Sequence, residues 1–246
     1  MPQDRHTPHH AILGTWPTPL EPAPRLATAL GLTPDDLWIK RDDLTGLGAG
    51  GNKVRKLEWT CAAALAEGAT VLVATGGPQS NHARLTAAAG ARLGLEVVLV
   101  LSGDPGASTS GNLTLDGLLG AHIEWAGGTD LQAAAHEVAE RLRAQGAVPA
   151  VIPFGGSTRL AARGYAECGR ELLAQAPDLT TVVTALGSGG TMAGLVDTLG
   201  PERVLGIHVG AVDHPTQTVC ALLSGTPHPP ESLRVRPDQV GAGSPR

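Results

Sequence analysis

The sequence predicts an α/β protein in which parallel strands alternate with helices, and three observations lead to that prediction. Short apolar runs of strand length recur along the chain, as in Val-Leu-Val-Ala at 71–74. Between them lie segments of about 10 to 17 residues with apolar positions at helical spacing. Glycine-rich turns connect several of the strands to the helix that follows. This alternation is typical of parallel sheets flanked by helices.

On this basis the chain divides into strands and helices from residue 37 onward. Runs of β-branched and apolar residues predict strands at 37–41, 70–75, 96–101, 122–125, 148–153, 179–186 and 203–209. Helical spacing after a polar or glycine-rich turn predicts helices at 53–66, 83–93, 111–119, 129–145, 159–174, 191–199 and 215–224. Residues 1–25 are rich in proline and histidine, and we expect them to be irregular.

Composition narrows the class of protein. The chain has 246 residues, of which 42% are hydrophobic and 17% charged, so it is long enough for one large domain or two small ones and is globular. The net charge is −5 and no basic run occurs, which argues against a nucleic-acid partner. No apolar run approaches the ~20 residues of a membrane span, so no membrane association is expected.

The cysteines and the N-terminus bear on the compartment. Cys61, Cys168 and Cys220 are odd in number and far apart, which favours a reducing environment without a disulfide framework. Residues 1–10 have no apolar core and do not form a signal peptide. Both observations predict a cytoplasmic protein. Neither Cys-x-x-Cys nor His-Glu-x-x-His occurs, so no metal site is expected, and Asp42-Asp43 is better explained as a capped turn.

A lysine in a glycine-rich stretch, residues 47–58, is the first candidate for chemistry. The chain has only three lysines, and one of them, Lys53, follows Gly50-Gly51-Asn52. A lysine amine can lose its proton and hold a carbonyl compound as a Schiff base, which arginine cannot do. Since Asn52 precedes the lysine and Val54 follows it, the stretch is not an ATP- or GTP-binding loop. A solvated lysine in a surface turn is the alternative.

Four glycine-rich loops lie where ligands bind in parallel sheets, between the end of a strand and the next helix. They are residues 47–53, 76–82, 154–158 and 186–191. The last opens a helix, so its backbone N–H groups and the positive helix end suit an anion such as phosphate. It is not a dinucleotide fingerprint, because Met192 stands where a third glycine is needed. Any one of these loops alone is compatible with a simple tight turn.

The motifs together resemble one family. Arg41-Asp42-Asp43-Leu44, Gly50–Glu58 and Gly76–Arg84 are similar to the D-cysteine desulfhydrase / 1-aminocyclopropane-1-carboxylate deaminase family. Weaker similarity continues through Gly111-Asn112-Leu113, Gly155-Gly156-Ser157 and Gly187–Thr191. The resemblance implies a two-domain pyridoxal-phosphate enzyme of the tryptophan-synthase-β fold type (fold type II), with parallel sheets flanked by helices. It implies a large domain of residues 1–55 and 163–246 and a small domain of residues 56–162.

The resemblance also implies roles for individual residues. Lys53 corresponds to the lysine that carries pyridoxal 5′-phosphate and acts as catalytic base, and Ser80 to a second catalytic residue that meets the substrate. The remaining cofactor-binding residues would be Asn52, Asn81, Gly187, Ser188, Gly189, Gly190 and Thr191, with Asn81 at the phenolic oxygen. The substrate-binding residues would be Gln79, Ser80, Asn81 and His82. Arg55 and Lys56 are expected on a helix surface or in a salt bridge.

The reaction that the resemblance implies is α,β-elimination of D-cysteine to pyruvate, ammonia and hydrogen sulfide. The histidine at position 82 resembles the residue of the desulfhydrase branch, since the cyclopropane deaminases usually carry glutamine at that position. A core histidine is the alternative for His82, and 1-aminocyclopropane-1-carboxylate deamination the alternative for the reaction. The resemblance further implies a small amino-acid substrate and a homodimer.

The sequence departs from the family at its end. Family members continue past a Gly-Tyr-Gly motif, whereas this sequence reads Val240-Gly241-Ala242-Gly243 and stops at Arg246. We therefore expect an incomplete large domain and a protein less stable than longer relatives. A cooperative thermal transition of a monomer above ~65 °C would contradict that expectation. A third possible function is thus a catalytically inactive remnant that binds the cofactor.

Overall fold

Two parallel sheets form the framework of the computed structural model, which describes residues 10–106 and 110–238. Its strands are β1 (Leu20–Pro22), β2 (Trp38–Lys40), β3 (Val71–Gly76), β4 (Glu96–Leu101), β5 (His122–Trp125), β6 (Pro149–Ile152), β7 (Val182–Leu186), β8 (Val204–His208) and β9 (Arg234–Arg236). Its helices are α1 (Pro24–Ala29), α2 (Lys53–Ala66), α3 (Asn81–Leu93), α4 (Asn112–Leu118), α5 (Leu131–Ala144), α6 (Arg159–Gln175), α7 (Gly190–Leu199) and α8 (Pro215–Leu222).

The first sheet has the strand order β5-β4-β3-β6 and the second the order β7-β8-β9, and every pair within them is parallel. β1 and β2 form a separate antiparallel pair in which Leu20 lies opposite Lys40. The carboxyl ends of β3 and β7 lead directly into the loops that precede α3 and α7. These ends are therefore where a ligand is expected.

The central strand β3 is buried at every position, because both of its faces are covered. Leu72 and Ala74 pack in a core with residues of α2 and α3, whereas Val71 and Val73 pack in a second core with α5. A third core joins the second sheet to α6, α7 and α8. Since α2 also packs against α6, its first turn lies between the two sheets.

The predicted α/β class with parallel sheets flanked by helices is confirmed. α2, β4 and β5 begin and end at the predicted residues, and the other predicted elements are present with shifted ends. The prediction of irregular structure up to residue 25 is wrong for Leu20–Pro22 and for the start of α1. β1 and β9 were missed because each has three residues, and each is defined by a distant partner strand.

The proposed division into domains stays a prediction. The boundary at 55/56 falls inside the first turn of α2, and the boundary at 162/163 falls inside α6. Among the described residues, no helix combines the length and the apolar character needed to cross a bilayer. All three cysteines lie in this described part and are free thiols.

Candidate active site

A tight glycine loop delivers Lys53 to the first position of α2. Gly50 has a φ of 73°, and a Cβ atom on it would lie 1.8 Å from the Asp43 carbonyl oxygen, so only glycine fits. The Gly51 N–H donates to the Asp42 carbonyl (2.9 Å), and the Arg84 guanidinium donates to the Gly50 carbonyl (2.9 Å). The loop is thus tied down on both sides before the helix begins.

The amine of Lys53 is linked to helix α7 through the side chain of Asn52. Lys53 Nζ donates to Asn52 Oδ1 (3.1 Å), and Asn52 Nδ2 donates to Thr191 Oγ1 (3.3 Å) in the first turn of α7. Burial lowers the pKa of Lys53, because the charged form is poorly solvated there. A lysine with a lowered pKa has a larger share of the neutral, nucleophilic amine.

The loop after β7 forms a bare backbone cradle. Gly189 has a φ of 85° and stands at the N-cap of α7, where no side chain caps the helix. A Cβ atom on Gly190 would lie 2.7 Å from Ser157 Oγ and 3.1 Å from Lys56 Nζ. The first N–H groups of α7 are therefore left without a side-chain cap beside a buried amine, which suits an anion.

The prediction that Lys56 lies on a helix surface or in a salt bridge is wrong, since among the described residues it is buried and forms no ion pair. Its side chain is only 2% exposed, and its Nζ donates to Ser157 Oγ (2.9 Å), which is hydrogen-bonded to Ser188 Oγ (2.8 Å). Burial, with a smaller effect from the charge of Lys53, lowers the pKa of Lys56 well below its usual value. The spacing of three residues between the two lysines was a signal for this, since it places both on one helix face.

Arg55, between the two lysines, points to the opposite side of α2. The expected salt bridge is present, but the guanidinium is buried, with 2% exposure. It donates two hydrogen bonds of 2.9 Å to Asp42 and two of 2.9 Å to Glu171. It also stacks over the Trp16 ring at 4.1 Å from the centroid. Asp42 is thus a salt-bridge partner.

A cavity of about 370 Å³ lies between the start of α2 and the loop after β7. Its volume falls in the range of about 300–1,000 Å³ that small-molecule sites occupy. It brings together six of the predicted residues: Asn52, Lys53, Gly187, Ser188, Gly189 and Thr191. The cavity is also lined by three residues that were not predicted: Lys56, Ala185 and Val209. The predicted Gly190 does not line it but is the first residue of the adjoining helix α7.

The remaining predicted residues lie at the carboxyl end of β3 and do not line this cavity. Ser80 is the N-cap of α3, and its Oγ accepts from the Ala83 N–H (3.2 Å), which leaves the hydroxyl proton free to donate. Gln79 is exposed, and its side-chain amide is hydrogen-bonded to the backbone of residues 110 and 112. Asn81 is exposed at the first position of α3.

His82 is buried, with 3% exposure, and neither ring nitrogen has a hydrogen-bond partner. A Cβ atom on Gly156 would lie 3.0 Å from the ring. Burial lowers the pKa of His82 to about 3, helped by the charges of Lys53 and Lys56. The imidazole is therefore neutral at physiological pH, and it is near enough to the two amines for their charges to act on it.

The donor set fits a compound that carries both an aldehyde and a phosphate. Lys53 offers a partly buried amine with a lowered pKa, and Lys56 offers a buried amine without a carboxylate partner among the described residues. The uncapped start of α7 adds backbone N–H donors beside Lys56. No cluster of three or more metal-ligating side chains occurs in residues 10–106 and 110–238.

Comparisons with known proteins agree with this chemistry. The family described as pyridoxal-phosphate dependent enzyme matches residues 12–245. The D-cysteine desulfhydrases of Salmonella typhi and Salmonella paratyphi B are each 45% identical over 197 residues, which is 76% of this chain and 59% of theirs. This chain therefore spans about three fifths of the length of those curated relatives.

Solved structures give the same result. A crystal structure of an ACC deaminase homologue superposes with a TM-score of 0.81 at 35% identity, covering 92% of this chain and 72% of that one. The crystal structure of a threonine deaminase from T.th. superposes with a TM-score of 0.59 at 28% identity, covering 81% and 62%. The resemblance and the fold type predicted from the sequence are both confirmed.

Proposed function

We propose, since this chain belongs to the pyridoxal-phosphate dependent enzyme family, that its cavity binds pyridoxal 5′-phosphate and that it acts as a D-cysteine desulfhydrase. The reaction converts D-cysteine and water into pyruvate, ammonia and hydrogen sulfide. One observation carries the proposal: the amine of Lys53, with its lowered pKa, lines a cavity whose opposite wall is the uncapped glycine cradle of α7.

The residues on the cavity wall divide into two groups by chemistry. Lys53, oriented by Asn52, would hold the aldehyde carbon of the cofactor. Gly187–Thr191 and Lys56 would hold its phosphate through backbone N–H groups and a buried ammonium. When bound, the cofactor supplies an electron sink for negative charge that develops at the α-carbon of the substrate.

Lys53 is also the proposed base. Its lowered pKa provides the neutral amine that can take the α-proton of the substrate at Nζ. The hydrogen bond to Asn52 Oδ1 holds that nitrogen at one side of the cavity. Ser80, whose hydroxyl proton is not used within α3, can donate to the substrate carboxylate or pass a proton. His82 adds a neutral imidazole near the two amines rather than a third charge.

A second candidate reaction is deamination of 1-aminocyclopropane-1-carboxylate. The superposition on an ACC deaminase homologue, with a TM-score of 0.81, favours it. The histidine at position 82 favours the desulfhydrase, by the resemblance described above. Cofactor binding without turnover is a third candidate, and it differs from the other two in giving neither product.

The test is an absorption spectrum of the purified protein with added pyridoxal phosphate, recorded before and after D-cysteine. We expect a visible band that is absent in Lys53→Ala, present in the control Lys40→Ala, and altered by D-cysteine as pyruvate appears. Pyruvate formation would establish the lyase, and α-ketobutyrate formation from the cyclopropane substrate would favour the deaminase. A Lys53-dependent band without either product indicates a binding protein, and no band in the wild-type protein refutes the proposal.

Homodimer formation and a cytoplasmic location are further proposals. Both follow from the resemblance and the composition rather than from any contact in a single chain. Light scattering coupled to size-exclusion chromatography would test the dimer, since a molar mass of about 25.0 kDa would mean a monomer.

A further inference from the structure

The motif Gly111-Asn112 at the start of α4 has no role in the proposed function, yet it is bonded to the loop that carries the predicted substrate residues. Gln79 Oε1 accepts from the Asn112 backbone N–H (2.9 Å), and Gln79 Nε2 donates to the Ser110 carbonyl (3.0 Å). Gly111 has a φ of 68°, and a Cβ atom on it would lie 2.3 Å from Gln79 Oε1. The backbone of residues 110–112 is thus held against residue 79.

The side chain of Asn112 makes two further bonds to that loop. Its Nδ2 donates to the Gln79 backbone carbonyl (2.7 Å) and to Asn81 Oδ1 (3.2 Å). A backbone carbonyl can only accept, so the group that Asn112 presents to it has to be the NH₂. The second hydrogen of that NH₂ then points at Asn81, so Asn81 has to accept this bond through its Oδ1. This sequence of bonds fixes which way round the Asn81 amide stands.

The consequence concerns the other half of the Asn81 amide. Because Oδ1 is directed to Asn112, the Asn81 NH₂ is directed away from Asn112 and is left with two donors. A phenolic oxygen that loses or shares its proton needs a donor, and a carbonyl oxygen in that place would repel it. The orientation of one amide therefore decides whether position 81 attracts or repels the cofactor.

We propose that Asn112 is a positioning residue that holds Asn81 with its NH₂ toward the phenolic oxygen of bound pyridoxal phosphate. The inference rests on the proposed function, because it assumes that the cofactor binds, and it takes the contact of Asn81 with this oxygen from the family resemblance. Asn112 itself touches neither cofactor nor substrate in this arrangement. It acts through Asn81, and Gln79 holds it in register.

Two substitutions separate this role from a purely structural one. Asn112→Ala removes both side-chain bonds and lets Asn81 take either orientation. Asn112→Asp keeps the shape but presents acceptors only, so Asn81 turns its NH₂ to residue 112 and its oxygen to the cofactor. Because an aspartate at 112 also faces the Gln79 carbonyl, a structural role predicts losses that do not depend on the Asn81 side chain. The positioning role predicts a larger loss in Asn112→Asp than in Asn112→Ala, and predicts that this loss requires the Asn81 side chain.

The measurement is a titration with pyridoxal phosphate followed by the visible band, run as a double-mutant cycle with Asn81→Ala. We expect affinity to fall about tenfold in Asn112→Asp and about threefold in Asn112→Ala, with a shifted absorption maximum in Asn112→Asp. In the Asn81→Ala background, Asn112→Asp should change affinity by less than about twofold. Thermal unfolding of each variant without cofactor verifies that it is folded. If Asn112→Asp does not fold, the same double-mutant cycle is completed with Asn112→Ala.

The outcomes that would overturn the inference are specific. It fails if Asn112→Asp binds as well as Asn112→Ala, or if the loss of affinity is the same with and without the Asn81 side chain. If the wild-type protein binds no pyridoxal phosphate, the proposed function fails and this inference fails with it. Wild-type binding with no coupling between positions 81 and 112 overturns the inference alone.

Discussion

The first turn of α2 carries three cations in two contrasting environments. Arg55 is surrounded by acceptors: two carboxylates, Asp42 and Glu171, each receive two of its hydrogen bonds. Lys53 and Lys56, on the other side of the turn, have amide and hydroxyl oxygens as partners and form no ion pair within the described residues.

The pKa values follow this difference. Burial by itself lowers the pKa of Arg55, but hydrogen bonds to Glu171 and Asp42 outweigh it and the pKa is raised. Burial lowers the pKa of both lysines, and nothing opposes it. A buried cation whose partners are supplied by the protein stabilises the fold. A buried amine and a partly buried amine without an anion are better explained by a ligand that brings one.

The largest effect on stability is expected from removing the Arg55 salt bridges to Asp42 and Glu171. Arg55→Met leaves Asp42 and Glu171 without their main cation, and the free energy of unfolding should fall by about 3–5 kcal/mol. Lys40 also contacts Glu171 (2.7 Å), which favours the lower end of that range. Urea denaturation followed by circular dichroism measures the change.

Arg41→Met is the matched control, since Arg41 pairs with Asp43 and Glu21 at the surface. Solvent and salt screen such pairs, so little change in unfolding is expected. If both arginine variants were destabilised equally, the contrast between buried and exposed pairs would be refuted.

Removing the Lys56 amine is expected to weaken cofactor binding without lowering stability, and the effect is smaller than that at Arg55. Lys56→Met removes a buried amine that has no counter-ion among the described residues, so stability without cofactor should be unchanged or higher. Binding of pyridoxal phosphate should weaken about 10- to 100-fold, the value of a charged hydrogen bond of about 1.5–3 kcal/mol. Urea denaturation and a cofactor titration of the same preparation give the two numbers.

Comparing the change in stability with the change in cofactor affinity separates a structural role of Lys56 from a ligand-binding role. A Lys56→Met protein that is strongly destabilised without cofactor would show that Lys56 is structural, like Arg55. Inorganic phosphate offers a further comparison, because it should stabilise the wild-type protein against unfolding more than it stabilises Lys56→Met.

The smallest effect is a pH dependence at His82, next to the two amines. Its pKa is about 3 in the folded protein and about 6.5 in the unfolded chain, so between these values only the unfolded chain takes up the proton. Stability contributed by this site is therefore complete above about pH 6.5 and is lost as the pH falls toward 3, at up to about 1.4 kcal/mol per pH unit.

His82→Gln should remove this part of the pH dependence. The expected result is a difference in unfolding free energy between pH 6.5 and pH 5.5 that is about 1 kcal/mol smaller in the variant than in the wild type. Identical pH profiles for the two proteins would mean that the imidazole is not held neutral.

Sequence patterns alone determined the elements whose signals are local. The helix at 53–66 was predicted residue for residue, because its apolar spacing and the glycines before it lie within one short stretch. The loops at 47–53 and 186–191 were predicted as parts of one site, because each lies between a strand and the next helix, where ligands bind in parallel sheets. In the structure the first loop follows β2 of the antiparallel pair, so the two meet through the Asn52–Thr191 contact and not along one shared sheet edge. Six of the predicted residues do meet in one cavity.

Tertiary structure decided the features that depend on distant partners. A charged helix position is ordinarily solvated, so the burial of Lys56 followed only once Ser157 and the loop before α7 covered that face. Arg55 finds Glu171 116 residues away, and Asn112 reaches Asn81 31 residues away. Helical spacing shows which residues share a face, whereas only the packed chain determines which acceptors that face meets.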